Sequence, residues 1–215
     1  MTSLIGIISE VHFTALSNLK GLSISGTSLS FHVNSTWTPP FQLEFLIANS
    51  YKTGPKFPAW LQTQKSLSFL DFSGSGIVDT TPNWFWKFAS YIQLDNTIID
   101  LRSNKFNGII PPQIGQLSSL IVLDIADNSL SGSIPKCLNN ISAMTARPIR
   151  GIWYDALEAD CDYESYMESL VLDMKGRESK YENILKYVRM IDLSSNNLSV
   201  SKSQLKSQVF LDCNF

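Results

Sequence analysis

A motif that recurs every 24 residues constrains the fold of this chain more than any other feature of the sequence. Its two clearest copies are adjacent, running from Ile99 to Pro111 and from Leu123 to Pro135. In both, an apolar-Asp-apolar triplet is followed, at the same spacing, by Asn, an apolar residue, Gly and finally Ile-Pro. A fixed period of this length is the signature of a solenoid, in which each copy forms one coil and stacks on its neighbours.

Weaker copies extend the array in both directions. Leu22, Leu46 and Leu70 continue the 24-residue step toward the N-terminus, and the segment 188–198 supplies a further copy. Alternating apolar residues in each copy predict a short strand with one buried face, and stacked coils place these strands in one parallel sheet. The sequence therefore predicts an α/β solenoid of about six coils.

An asparagine follows the predicted strand of the three best copies, at Asn104, Asn128 and Asn196. We expect these side chains to turn inward and form a structural ladder of hydrogen bonds to the backbone of the neighbouring coil, because buried backbone polar groups need partners. The equivalent positions of the first three copies hold Thr27, Tyr51 and Ser75. The N-terminal half is therefore predicted to be less regular.

These motifs resemble the leucine-rich repeats of plant receptor kinases and receptor-like proteins, over residues 4–199. The 24-residue period and the Gly-x-Ile-Pro element after the strand carry the resemblance. It implies a leucine-rich-repeat solenoid with short parallel strands on its concave face. It also implies a relationship to defence receptors that sense fungal proteins.

The spacing is interrupted twice, by a 29-residue step from Leu70 to Ile99 and by a longer insertion. Leu123 and Ile191 are 68 residues apart, which is 44 more than one period. The segment between them contains Tyr166, eight further residues and then Lys175-Gly176, a pattern similar to the island segment of receptor-like proteins. The predicted organisation is repeats over 1–142, an island over 143–187, an incomplete repeat over 188–199 and an atypical tail over 200–215.

Candidate ligand contacts follow from this organisation. Residues that flank the buried strand positions are expected to point to solvent on the concave face, where solenoids bind partners. The candidates are Asp100, Arg102, Asp124 and Asp192 on the repeats, with Tyr166 and Lys175 on the island. Arg102 stands out because its guanidinium offers a planar fork of donors. The aspartates have an alternative interpretation as part of the repeat scaffold, which we favour.

Three Asn-x-Ser/Thr sequences are candidate glycosylation sites, at Asn34, Asn140 and Asn197. The alternative is chance occurrence in a chain rich in Asn and Ser. Asn197 directly follows Asn196, which is predicted to face inward, so we expect Asn197 to face solvent.

Other functions have little support in the sequence. The formal net charge is -2 and the basic residues are scattered, so nucleic acid is not an expected partner. We find no phosphate-binding loop, nucleophile elbow or kinase catalytic loop. The two histidines, His12 and His32, and three cysteines without CxxC spacing do not form a zinc motif. We therefore predict no enzymatic activity, catalytic residue, metal site or cofactor.

The resemblance implies a ligand-binding part of a receptor-like protein at the extracellular side of the plasma membrane. Its implied partners are a peptide or protein ligand and, in intact relatives, a coreceptor kinase used in defence signalling. We find no signal-peptide pattern and no run of 18 apolar residues, so no direct membrane span is expected. The chain is thus predicted to be truncated. The alternatives are a soluble decoy or inhibitor and a non-functional gene fragment.

Overall fold

A computed structural model of the chain describes residues 5–25, 27–50, 55–90, 97–145, 170–174, 177–181 and 188–199. In chain order the strands are β1 (Ile5–Ile8), β2 (Gly21–Ser23), β3 (Ser28–Phe31), β4 (Phe45–Ile47), β5 (Phe69–Asp71), β6 (Thr97–Asp100), β7 (Asn107–Ile109), β8 (Leu120–Asp124), β9 (Ser129–Ser133), β10 (Leu170–Met174), β11 (Arg177–Tyr181), β12 (Met190–Asp192) and β13 (Asn197–Ser199). The α-helices are α1 (Asn83–Ser90) and α2 (Ser142–Thr145).

The main sheet contains one strand from each predicted repeat. Within the described residues its order is β2-β4-β5-β6-β8-β12, and every pair is parallel. One in-register row runs across the sheet through Leu22, Leu46, Leu70, Ile99, Leu123 and Ile191. The predicted leucine-rich-repeat solenoid with short parallel strands is confirmed. We call the sheet face opposite the main core the concave face.

The sheet continues across both irregular spacings. Leu70 and Ile99 are 29 residues apart, yet they pair directly, with helix α1 in the longer coil between them. Ile191 pairs directly with Leu123 despite the 68 intervening positions. Additional chain is therefore accommodated without disturbing the register of the strands.

Three smaller sheets accompany the main one in the described part of the chain. Strands β7, β9 and β13 form a second parallel sheet just after the asparagine positions. Strands β1 and β3 form a parallel pair, whereas β10 and β11 are antiparallel and pair Leu170 with Tyr181. The last pair departs from the parallel pattern of the repeats.

The convex side is built from short helices and aromatic rings. Among the described residues, four 3-10 helices lie here, at Glu10–Phe13, Ala59–Thr63, Pro112–Gln116 and Lys136–Asn140. The last three directly follow a proline, whose restricted φ favours this change of direction. Phe85 and Trp86 on α1 are buried, and the ring centroids of Phe57 and Phe85 are 4.9 Å apart. These rings fill the convex core, where large aromatic side chains bury much apolar area.

The glycine of the Gly-x-Ile-Pro element is required by its backbone conformation. Gly132 has a φ of 81°, in the left-handed region that other residues rarely adopt. A Cβ at this position would also lie 3.0 Å from Cγ2 of Ile109 in the neighbouring coil. Both the turn and the close stacking of two coils therefore depend on the missing side chain.

We predict that Gly132→Ala lowers the free energy of unfolding by about 1–2 kcal/mol, because the added methyl group strains the left-handed turn. Urea denaturation followed by circular dichroism would measure the change. Ser133→Ala, at an exposed neighbouring position, is the control and should leave stability nearly unchanged. Equal stability of the two variants would contradict the prediction.

Candidate functional site

The asparagine positions connect successive coils and hold the candidate site in place. Asn128 Nδ2 donates to Leu101 O at 3.0 Å, and its Oδ1 accepts from the backbone N–H of Phe106 at 2.9 Å. Asn196 repeats this arrangement one coil later, with Ile125 O and the Leu130 N–H. Each side chain therefore satisfies one carbonyl and one N–H group of the preceding coil.

The same arrangement is present at Asn104 and changes toward the N-terminus. Asn104 donates to Phe72 O at 2.8 Å and accepts from the Ile77 N–H at 3.0 Å. Ser75 retains one cross-coil bond, from its hydroxyl to Ala48 O at 2.7 Å. Thr27 donates to Ile24 O in its own coil, and Tyr51 lies outside the described residues.

A column of aspartates runs along the ends of four strands. Asp71, Asp100, Asp124 and Asp192 are aligned in register across the sheet. In each, Oδ1 accepts a hydrogen bond of 2.9–3.0 Å from the backbone N–H two residues later. This contact fixes the turn that leads into the ladder, so each aspartate has a structural role in its own coil.

Three of these four aspartates are buried, so the expectation that Asp100 and Asp124 point to solvent is wrong. Asp71, Asp100 and Asp124 have exposed fractions of 4%, 3% and 1%. Their carboxylates turn back toward their own backbone, and the neighbouring strands of a sheet lie only about 4.8 Å away. Ile47 and Ala126, which also flank buried strand positions, are buried as well.

An apolar column beside the aspartates was not identified from the sequence. Phe69, Ile98 and Val122 pair across β5, β6 and β8 on the concave face, and each is at most 3% exposed. They form a cluster separate from the main core. The signal that could have revealed it is the apolar residue before each central leucine or isoleucine, which breaks the expected alternation of buried and exposed positions.

Arg102 connects the last three coils of the column. Its Nε donates to Asp124 Oδ2 at 2.8 Å, and its Nη2 donates to Asp192 Oδ2 at 2.5 Å. The side chains of Arg102 and Asp192 are 19% and 17% exposed, whereas that of Asp124 is 1% exposed. Of the predicted contacts, Asp100, Arg102, Asp124 and Asp192 thus lie together, and only Arg102 and Asp192 are accessible to a ligand.

The remaining predicted contacts cannot be placed in this site. Tyr166 and Lys175 lie outside the described residues. All three sequon asparagines, Asn34, Asn140 and Asn197, are exposed. The Oδ1 atom of Asn34 accepts from both the N–H and the hydroxyl of Thr36, at 3.0 and 2.8 Å.

Burial changes the acidity of the column. Removal from water raises the pKa of Asp71 and of Asp124 and raises that of Asp100 well above its ordinary value. For Asp100, the negative charges of Asp71 and Asp124 add to the effect of burial. The hydrogen bond from Arg102 opposes the rise in the pKa of Asp124. Asp71, Asp100 and Asp124 therefore take up protons more readily than free aspartates do.

Two further properties concern only the described part of the chain. It contains no group of three or more His, Cys, Asp or Glu residues that could hold a metal ion. None of its helices has the length and apolar character to span a bilayer.

Comparison with known proteins shows which of them this chain resembles. The model of the Leucine Rich Repeat family matches residues 97–117 and 119–141, which contain the ladder residues Asn104 and Asn128. These two segments of the chain therefore match leucine-rich repeats. Receptor-like protein EIX2 of Solanum lycopersicum is 37% identical over 136 residues, which cover 63% of this chain and 13% of that protein. Receptor-like protein 53 of Arabidopsis thaliana is 34% identical over 149 residues, which cover 60% of this chain and 15% of that protein. The resemblance to plant receptor-like proteins is thereby confirmed.

Solved structures of leucine-rich-repeat ectodomains have the same fold. The ectodomain of the Arabidopsis receptor kinase HAESA, in complex with an N-terminally extended IDA peptide hormone, gives a TM-score of 0.51 at 25% identity, covering 66% of this chain and 27% of that chain. The ectodomain of GASSHO1/SCHENGEN3 from Arabidopsis thaliana also gives a TM-score of 0.51, at 24% identity. The match covers 65% of this chain and 16% of that chain. This leucine-rich-repeat chain spans less than a third of each of these relatives.

We predict that Asn128→Ala lowers the free energy of unfolding by about 2–4 kcal/mol, because a buried carbonyl and a buried N–H lose their partner. Chemical denaturation would measure the loss. Ser129→Ala, at the exposed adjacent position, is the matched control. A loss no larger than that of the control would show that the ladder does not stabilise the stacked coils.

A second prediction concerns pH. Because the pKa of Asp100 is raised in the folded chain, its contribution to stability is fully present below the ordinary pKa of aspartate and is lost as pH rises through the raised pKa. Asp100→Asn should therefore stabilise the fold at pH 7, because no carboxylate then has to be charged in a buried position. It should also reduce the loss of stability as pH rises above the ordinary pKa of aspartate.

Thermal unfolding at a series of pH values would test this, with Asp127→Asn, at an exposed turn position, as the charge-matched control. Destabilisation by Asp100→Asn at pH 7, or an unchanged pH profile, would contradict the prediction.

Proposed function

We propose that this chain is the ligand-binding portion of a plant cell-surface receptor-like protein that acts in defence signalling. It binds a peptide or protein on the concave face and has no catalytic role of its own. The observation that carries the proposal is the accessible pair Arg102 and Asp192 on the parallel sheet, in a chain similar to receptor-like proteins. The complex of the HAESA ectodomain with its peptide hormone supports a peptide ligand.

The surrounding organisation follows from the same proposal. In this proposal the protein acts at the extracellular side of the plasma membrane, and a coreceptor kinase transmits the signal. Segment 143–187 forms the island, and the repeats resume at 188–199. The direct pairing of Ile191 with Leu123 supports this division. Asn34, Asn140 and Asn197 carry glycans, for which their exposure is a requirement that all three meet.

Charge defines the kind of ligand. The column holds four aspartates, and Arg102 is shared between Asp124 and Asp192. A Lys or Arg side chain of a ligand can therefore replace Arg102 at Asp192, whose carboxylate is the more accessible of the two. Charge-assisted hydrogen bonds of this kind are stronger than neutral ones and favour a basic peptide.

The proposal is tested by selecting phage-displayed random peptides on the immobilised chain and measuring their affinities by calorimetry. We expect enrichment of Lys- and Arg-containing peptides that bind the concave face. Asp192→Asn should weaken their binding about tenfold, since a hydrogen bond to a charged group is lost. Asp127→Asn makes the same change of charge outside the Arg102 network and should have no effect.

The outcomes are separable. If no peptide is enriched above the unselected library, the peptide-binding function is wrong. If enriched peptides bind Asp192→Asn as tightly as the unmodified chain, peptide binding stands and the assignment of Asp192 is wrong.

A further inference from the structure

A partly open cavity of about 220 Å³ lies inside the first three coils, away from the aspartate column. Its lining is mainly apolar and includes Ile24, Phe31, Ala48, Trp60 and Phe72. An apolar cavity of about 150 Å³ holds a benzene molecule, so this one has room for an aromatic ring with a short substituent.

The sequence explains why the cavity is present. Ala48 occupies the core position two residues after the central leucine of its strand and is fully buried. The other coils carry large apolar residues at this position: Ile24, Phe72, Leu101, Ile125 and Leu193. Two of these, Ile24 and Phe72, line the same cavity in the coils on either side. Because every other coil has a large side chain at this position, the single alanine leaves space between well-packed neighbours.

One residue of the lining, Trp60, carries a buried polar group without a partner in the described part of the chain. Trp60 is 5% exposed, and its Nε1 has no hydrogen-bond partner within the described residues. A buried indole N–H normally finds an acceptor, because leaving it unpaired costs free energy. The ring itself is fixed by stacking on Phe31 at 5.8 Å and by an edge contact with Trp37 at 5.6 Å.

The polar end of the lining is exposed and contains one cation. Asn34, Ser35 and Lys56 are the exposed polar residues, and Lys56 forms no ion pair among the described residues. Two carboxylates lie near this end, but each is held by a backbone N–H: Glu10 by that of Asn34 and Asp79 by that of Phe57. Neither carboxylate lines the cavity.

We propose that this cavity binds a small aromatic carboxylic acid that carries a ring oxygen. The apolar walls enclose the ring, the ammonium group of Lys56 binds the carboxylate at the open end, and the N–H of Trp60 donates to the ring oxygen. This chemistry combines a buried apolar body with two placed polar contacts, which is the usual composition of a small-molecule site. The site is separate from the peptide surface and does not depend on it.

Calorimetry with 3-(4-hydroxyphenyl)propanoate tests the proposal on the full chain, produced in a host that adds no glycan because Asn34 borders the opening. We expect saturable binding at one site. The alcohol 3-(4-hydroxyphenyl)propan-1-ol, which lacks the charge, should bind about tenfold more weakly. The analogue 3-phenylpropanoate, which lacks the ring oxygen, should bind about fivefold more weakly. The indole N–H resonance of Trp60 should shift with the hydroxylated acid and not with 3-phenylpropanoate.

Single substitutions test whether the acid binds inside the cavity. Ala48→Ile fills the cavity and should abolish binding without lowering the thermal midpoint, and Lys56→Met should weaken binding of the acid about tenfold. Lys65→Met, an exposed lysine outside the lining, should have no effect. The proposal is overturned if the unmodified chain shows no saturable binding, if folded Ala48→Ile still binds, or if the acid and the alcohol bind equally. If Ala48→Ile does not fold, Lys56→Met and the two analogues decide the matter.

Discussion

The hydrogen bond from a ladder side chain to the preceding coil determines how this chain stacks. The bond joins residues 27 positions apart at Asn128 and at Ser75. It spans 32 positions at Asn104 and 71 at Asn196. The increases of five and 44 equal the extra residues in the two long spacings. The ladder hydrogen bonds thus join equivalent groups in each pair of coils, while the number of residues between the bonded groups varies. The reason is that every coil must satisfy the same buried backbone groups.

The chemistry of the concave face follows from this constraint. The ladder requires a tight turn directly after each strand, and an aspartate at the strand end holds that turn through the N–H two residues later. Repeating the turn in register places carboxylates side by side in a column, where burial raises the pKa of Asp100. A structural requirement therefore creates an acidic face, and Arg102 offsets only part of its charge.

The sequence predicts those features that depend on period. The strand register and the inward position of Asn128 follow from spacing alone, because identical coils must stack identically. Exposure was predicted less well, since it depends on neighbours in other coils. Asp124 was expected to face solvent but is buried beside an apolar column that includes Val122. The interaction of Arg102 with Asp192 spans 90 positions and an insertion, so no local pattern reveals it.

The two ends of the array differ because their ladders differ. From Asn104 onward, each asparagine bonds both a carbonyl and an N–H of the preceding coil, which holds the backbones at a fixed separation. Near the N-terminus, Thr27 bonds only within its own coil among the described contacts, and Ala48 leaves the adjoining core underfilled. Weaker cross-coil bonding lets side-chain volume vary there without breaking a ladder. Regular coils thus provide a charged outer surface, and irregular coils provide an apolar interior space.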